Sequence, residues 1–345
     1  RDFCLSRGLG DVYKRQDLTL TIGTMASQMI AHNDKLGLFV KKKNSWKYES
    51  VIRHEELDDL CREALVGGRT QVLDDKATTA EAMGDDARSL YPSVMTKNDN
   101  WPDFRNMMGS ELVSDFHKAI RRMEGAVYVE WKRPASDSLG FLSTRNDKDT
   151  LDWNQVSGRR WITFPEYRHA LKHGYELTPL VDESSATEEH PAYCMVAMPR
   201  LKQNPHHLQQ KWYNLRKEYR AAGNPFQLVI KLLMNAGGYG KYVERNQKSM
   251  VTNEEDWAQN FPEEWNFSGV YVNDDGGWGF ATLQEWERAD TTANIMGAYI
   301  TSYARISLWE YGTEIVNQGG HLLYCDTDSW KYLTNGLVNM GAQWG

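Results

Sequence analysis

Asp326 and Asp328 flank Thr327 at the end of an apolar run, Leu322-Leu323-Tyr324-Cys325. On a strand, side chains repeat every two residues, so both carboxylates would leave one face roughly 6–7 Å apart at Cα. Two acids so placed repel each other unless a cation, a proton or a donor cluster stands between them. The competing reading is an Asp-rich turn closing a hairpin. A second acidic stretch runs Asp85-Asp86-Ala87-Arg88-Ser89-Leu90-Tyr91-Pro92-Ser93. Tyr91 precedes a proline and is biased away from the α region, so the backbone should leave Asp86 extended and then bend. A third stretch pairs Lys231 with Asn235, four apart and so on one helical face, followed by Tyr239-Gly240.

The elements that must position these groups are legible in outline. Periodicity predicts short helices over residues 26–30 and 55–65, and an amphipathic helix from Ser110 to Glu124 with Ser110 as N-cap and Gly125 past its end. A strand follows over 127–131, a loop over 139–152, and a short helix over 165–172 with Pro165 in its first turn. Residues 206–222 and 226–236 read as a helical hairpin broken at Gly223, with Asn224 as cap and Lys211, Arg216, Lys217 and Arg220 on the first helix. Residues 243–290 are acidic, Trp-rich and Gly-rich, with a hairpin turn at Asn273-Asp274-Asp275-Gly276-Gly277. A helix over 295–311 and a Gly319-Gly320 turn lead into the strand that ends at Asp326.

Bulk properties bound the answer. The 345 residues can hold two or three domains, and 13 Trp and 17 Tyr make the chain aromatic-rich. No apolar run reaches the length of a membrane span. Cys4, Cys61, Cys194 and Cys325 show no paired spacing, which argues for a reducing compartment and against a zinc site. The net charge of −7 has the wrong sign for holding nucleic acid by bulk electrostatics, so any phosphate-binding charge must be local. Asp11-Val12-Tyr13-Lys14-Arg15-Gln16 resembles a translated transposon-end sequencing adapter, and residues 1–16 are set aside as an assembly scar.

Taken in order, Asp86-x-x-Ser89-Leu90-Tyr91-Pro92-Ser93, Lys231-x-x-x-Asn235 with Tyr239-Gly240, and Tyr324-x-Asp326-Thr327-Asp328-Ser329 resemble the three polymerase motifs of family B DNA polymerases. The resemblance implies an α+β fold. Its palm would be an antiparallel sheet with helices, its fingers a helical hairpin, and two insertions would complete a right-hand polymerase truncated at both ends. It divides the chain into the tail of an exonuclease domain (17–60), a first part of the palm (61–98), an insertion like the first terminal protein region (99–200), fingers (201–242), a second, processivity-like insertion (243–290) and the rest of the palm (291–345). An exonuclease domain is expected upstream, and a Lys-x-Tyr motif with a thumb downstream.

By the same resemblance, Asp86, Asp326 and Asp328 are the catalytic carboxylates that hold two Mg²⁺ ions, with Mn²⁺ able to substitute, while Asp85 faces the other way. Ser89, Leu90, Tyr91, Lys231, Asn235, Tyr239 and Arg216 would meet the incoming nucleotide. Lys231 would act as a point charge on the triphosphate and Tyr91 as the ring that excludes a ribose 2′-hydroxyl. Thr301, Arg305, Gly67, Gly68, Arg69 and Gly240 would contact DNA, although Leu65 replaces the Tyr usual before the Gly pair. The chemistry suits these types, because phosphoryl transfer asks the protein mainly for positioning and charge neutralisation. The implied partners are primer-template DNA, deoxynucleoside triphosphates and a terminal priming protein. A monomer in the host cytoplasm, replicating a phage or mobile element, is the implied setting. A non-catalytic remnant that binds DNA or terminal protein is the alternative. A two-metal nuclease is the poorer reading, since it leaves Lys231 and Tyr91 unexplained.

One spacing departs from the family. Three residues, Ala236-Gly237-Gly238, separate Asn235 from Tyr239, where two are usual. On a regular helix Tyr239 would lie about 80° off the Lys231 face, instead of about 20°. A π-bulge or an early helix end at the Gly pair is therefore predicted.

Overall fold

The structure is a computed structural model that describes residues 22–74, 82–113, 115–146, 150–183, 192–253, 265–273 and 276–334, with backbone alone between 247 and 286. The expected adapter scar, the last eleven residues of the second palm segment and the tip of the 273–277 turn lie outside that range.

A single helix, Asn294–Asn317, organises the packing. It shows no polar face over its first half: Ile295, Met296, Ala298, Tyr299, Ile300, Thr301 and Ser302 are all fully buried. A helix apolar all round must be enclosed by other elements, and here those are the helices Glu55–Arg62, Leu90–Lys97, Phe164–Lys172 and Tyr239–Tyr242 together with the strand His321–Asp326. Its N-terminus is satisfied by a buried carboxylate. Asp58 accepts from the backbone amides of Asn294 (2.9 Å) and Ile295 (3.3 Å) and pairs with Arg288, the last residue of the strand Gly276–Arg288. Further along, Gly312 lets Trp330 close in, since a Cβ there would meet the indole at 2.6 Å. The Trp330 ring nitrogen donates to the Leu308 carbonyl at 2.9 Å.

The sheet in front of this helix has the order Thr70–Val72, His321–Asp326, Ser329–Leu333, Met83–Asp86, all antiparallel. The 99–200 segment forms its own antiparallel sheet around the strand Glu124–Lys132, which pairs with Ser157–Thr163, Glu176–Pro179 and Met195–Met198. Buried Glu124 anchors it, ion-paired to Arg168 and Arg200 at 2.6 Å each and accepting from Tyr299 of the long helix at 2.9 Å. Residues 245–288 form a three-stranded antiparallel sheet.

The helical hairpin is as the sequence predicts, His207–Ala221 and Phe226–Ala236, turned at Gly223 with φ +64°. Its core of Leu208, Trp212, Ile230, Leu233 and Met234 also takes in Ala26, so the helix Ile22–His32 packs on it.

Two local expectations are corrected. The helix foreseen from Ser110 to Glu124 is a 3₁₀ turn, Ser110–Leu112, and a separate helix, Phe116–Arg122. Asp115 caps that helix by accepting from the Lys118 amide, and Glu124 and Gly125 already belong to the following strand. The 139–152 loop carries two two-residue strands, 144–145 and 151–152.

Candidate active site

The two carboxylate stretches meet at one end of the palm sheet. Asp86 closes its strand opposite Ser329, Ser329 pairs with Asp326, and Asp326 pairs with Thr70. Asp86 and Asp326 thus flank a central strand, about 10 Å apart at Cα from the spacing of neighbouring strands. Asp328 is not on a strand, contrary to the two-residue repeat expected. Thr327 and Asp328 form the turn of the hairpin, with Thr327 left-handed at φ +49°. The turn reading is what forms: a two-residue hairpin loop carries the acid. The loop is pinned from two sides. The Asp328 carbonyl accepts the Ala87 amide and the Thr327 amide donates to the Arg69 carbonyl, each at 2.7 Å. Gly68 permits the second contact, since a Cβ there would strike Thr327 at 2.6 Å.

The acids have distinct surroundings. Asp326 accepts from the Thr70 and Thr327 hydroxyls at 3.0 and 3.1 Å. Asp328 is half-buried, and burial together with the Asp86 and Asp326 charges pushes its carboxyl above the usual range. Among the described residues no Lys, Arg or His pairs with any of the three. Asp85 faces away, as expected, with its Oδ2 taken by the Tyr311 and Tyr332 hydroxyls at 3.0 and 2.7 Å.

Ser89 turns the chain after Asp86, at φ +56°. Tyr91 is then helical, in Leu90–Lys97, despite preceding a proline. Pro92 falls within the first turn, where the missing N–H costs no helical bond. The Leu90 side chain is core rather than site, at 2% exposure. Arg216, from the fingers, donates to the Ser89 hydroxyl at 3.0 Å. Facing this segment, the Phe226–Ala236 helix stops at the Gly pair, and a one-turn helix, Tyr239–Tyr242, begins in a new direction. The early helix end predicted from the spacing is what forms. It lays the Tyr239 ring 4.9 Å from that of Tyr91. Burial, then Tyr239 and Asp328, push the Tyr91 hydroxyl up to about 12, against the opposing pull of Arg305.

Between palm and fingers lies a cleft of about 1050 Å³, lined by Asp86, Ser89, Tyr91, Arg216, Lys231, Asn235, Tyr239, Gly240 and Asp328 among others. Asp326 stands outside this lining. Arg88, Lys217, Arg220 and Lys231 line it too, and among the described residues none of the four has an ion pair. The local positive charge demanded by the acidic composition is thus present, opposite the carboxylates. Sequence reasoning missed Arg88, Thr70 and Lys241 here. All three adjoin a position already singled out, Ser89, Arg69 or Gly240, which was the available signal.

Three residues expected at the DNA are buried in this structure. Arg305 is 3% exposed, ion-paired to Glu166 at 2.6 Å and bonded to the Val66 and Gly67 carbonyls. Arg69 is equally buried, donating to the Leu139 and Gly140 carbonyls with its guanidinium 5.1 Å from the Trp153 ring centre. The Thr301 hydroxyl is buried and donates to the Ala298 carbonyl. The hydrogen-bond partners these groups have all lie inside the protein, and Arg305 Nε, also buried, has none. The Gly67 carbonyl is held by Arg305, so that residue serves as a tether, while exposed Gly240 remains on the cleft wall.

An acidic sheet end thus faces basic fingers across one cleft. The family model for DNA polymerase type B, organellar and viral, matches residues 19–274, and the chain belongs to that family. Phi29 DNA polymerase complexed with primer-template DNA and incoming nucleotide substrates is similar in structure, with a TM-score of 0.63 and 17% identity, over 97% of this chain and 52% of that one. Phi29 DNA polymerase complexed with single-stranded DNA gives 0.58 and 17%, over 97% and 51%. The post-translocation binary complex of the same polymerase gives 0.58 and 19%, over 97% and 51%. At these identities the likeness establishes the fold, and the chain spans about half the length of those polymerases. No curated protein matches the chain. Among the described residues, no helix is long and apolar enough to cross a membrane.

Proposed function

We propose that this chain supplies the palm and fingers of a template-directed DNA polymerase. It would add deoxynucleotides to a primer 3′-hydroxyl, in protein-primed replication of a phage or mobile element. The observation that carries the reading is the single cleft into which Asp86 and Asp328 point from the palm, with Lys231, Asn235 and Tyr239 facing them from the fingers.

The reaction is in-line displacement: the 3′-oxygen attacks the α-phosphorus, the bond to the β-phosphate bridge breaks, and pyrophosphate leaves. Lys231, Arg216, Lys217 and Arg220 suit the triphosphate, whose negative charge needs cations without covalent chemistry. Tyr91 and Tyr239, with rings inclined at 52°, would form an aromatic corner against sugar and base. Three aspartates with no basic partner among the described residues, one of them with its pKa raised by burial and then by the other two charges, fit a site for Mg²⁺, which prefers carboxylate oxygens. When bound, divalent ions would lower the pKa of the 3′-hydroxyl and offset charge on the leaving group. Asp86 and Asp328 would hold them, with Asp326 supporting from the edge.

Protein priming rests on the two inserted sheets, 124–198 and 245–288, which interrupt palm and fingers where a terminal protein and a processivity element would dock. The deciding experiment is primer extension by the chain with Mg²⁺ or Mn²⁺, beside Asp328→Asn. Incorporation that is lost in the variant, with fold and primer-template binding retained, supports the reading. Primer-template binding with no incorporation by the unsubstituted chain would replace it with the non-catalytic alternative.

A further inference from the structure

Away from the cleft, His169 and His173 lie at the end of the Phe164–Lys172 helix and face Glu310 on the long helix Asn294–Asn317. One donor atom from each of the three lies within 4.8 Å of the other two, and among the described residues no other trio of ligand-type side chains does so. His169 Nδ1 is 3.8 Å from the Glu310 carboxylate. The ring is 7% exposed, and neither its Nε2 nor that of His173 has a hydrogen-bond partner. A buried imidazole nitrogen without a partner is costly, because water has been removed and nothing replaces it. Aromatic packing on Phe141 and Trp309 explains the burial of the rings, but not the idle nitrogens.

We propose that His169, His173 and Glu310 form a structural site for one divalent transition ion of the Zn²⁺ class. This ion would cross-link the 99–200 insertion to the central palm helix. Two imidazoles and one carboxylate are a donor set that zinc accepts, with water in the fourth position. A tetrahedral ion with bonds of about 2.0–2.1 Å needs donors about 3.3 Å apart, so the atoms must close by at most about 1.5 Å. His173 is half-buried and Glu310 is exposed, which leaves both side chains free to make that move. Burial holds both imidazoles below their ordinary pKa, His169 at about 4, so each offers a lone pair at neutral pH. The neighbouring charges are Asp137 and Glu166, which favour a cation, and Lys172, which opposes one.

The test uses the full chain, freed of metal and then held in excess Mg²⁺ so that the oxygen-rich aspartate site is filled. Zn²⁺ is titrated calorimetrically, and Co²⁺ is added separately to read its visible absorption. One saturable Zn²⁺ per chain is expected, with intense four-coordinate Co²⁺ bands and a raised melting midpoint. His173→Gln/Glu310→Gln should weaken Zn²⁺ binding at least about tenfold and abolish the bands, while its metal-free melting midpoint matches the parent. Absence of saturable Zn²⁺ uptake by the parent, or equal affinity in the double variant, would overturn the proposal.

Discussion

The ring of Tyr239 rests 4.9 Å from that of Tyr91, inclined at 52°. One ring comes from the fingers and the other from the palm, so the contact sets the width of the cleft floor. In the proposed function the sugar of an incoming nucleotide lies on Tyr91. Replacing Tyr91 with Ala should relax selection for deoxynucleotides, lowering the kcat/KM ratio of dNTP over rNTP by about ten- to a hundredfold. Tyr91→Phe should keep it. Single-nucleotide incorporation kinetics with paired dNTP and rNTP decide the point; an unchanged ratio in the Ala variant would sink it.

Gly237 is where the fingers helix ends, and its surroundings are tight. A Cβ there would meet the Ile30 side chain at 2.9 Å, the Leu233 carbonyl at 3.2 Å and Ala26 at 3.3 Å. Gly237→Val should therefore cost about 1–3 kcal/mol through overpacking and shift Tyr239 off its partner. Urea unfolding would register the first effect. A KM for dNTP that rises more than kcat falls would register the second.

Arg305 distinguishes a structural tether from a DNA contact. It and Glu166 are buried together at 2.6 Å, with side chains 2% and 1% exposed. Arg305→Met leaves Glu166 with Arg160, at 3.5 Å, as its one cationic partner among the described residues, beside the Thr163 amide and hydroxyl, and should cost about 3–5 kcal/mol, as expected when a buried pair loses one partner. The salt dependence of primer-template binding should be unaltered. A loss of one unit of salt slope with stability intact would instead mean a phosphate contact.

His206 gives a pH dependence. The ring is fully enclosed, 4.3 Å from Trp101, and burial lowers its pKa from 6.5 to about 3. Between these values the unfolded chain binds a proton that the folded chain refuses, so stability falls as pH falls. From pH 7 to pH 5 the contribution is about 2 kcal/mol. Neither ring nitrogen has a partner, so His206→Leu should fold and should lose about 2 kcal/mol less over that interval. Chemical denaturation at the two pH values measures the difference.

Much of this was legible in the chain itself. Asp86, Asp328, Lys231 and Tyr239 were singled out by the resemblance of three short stretches, taken in order, to the family B polymerase motifs, and the fingers by Gly223, Asn224 and Pro225 between two periodic runs. Even the extra glycine forecast a helix that stops early. Such features are local, since helical and strand periods and capping chemistry act over a few residues.

Tertiary structure alone decided what the charged groups face. Arg69, Thr301 and Arg305 read as outward DNA contacts, yet their partners Gly140, Ala298 and Glu166 enclose them. The sequence names an arginine but not the distant carbonyls and carboxylate that receive it, and burying a charge is tolerable only where such partners wait. The same holds for Asp328, which a strand pattern placed beside Asp326 and the fold set at the tip of a turn. It holds again for His169, His173 and Glu310, which only the packing of two helices brings within reach of one ion.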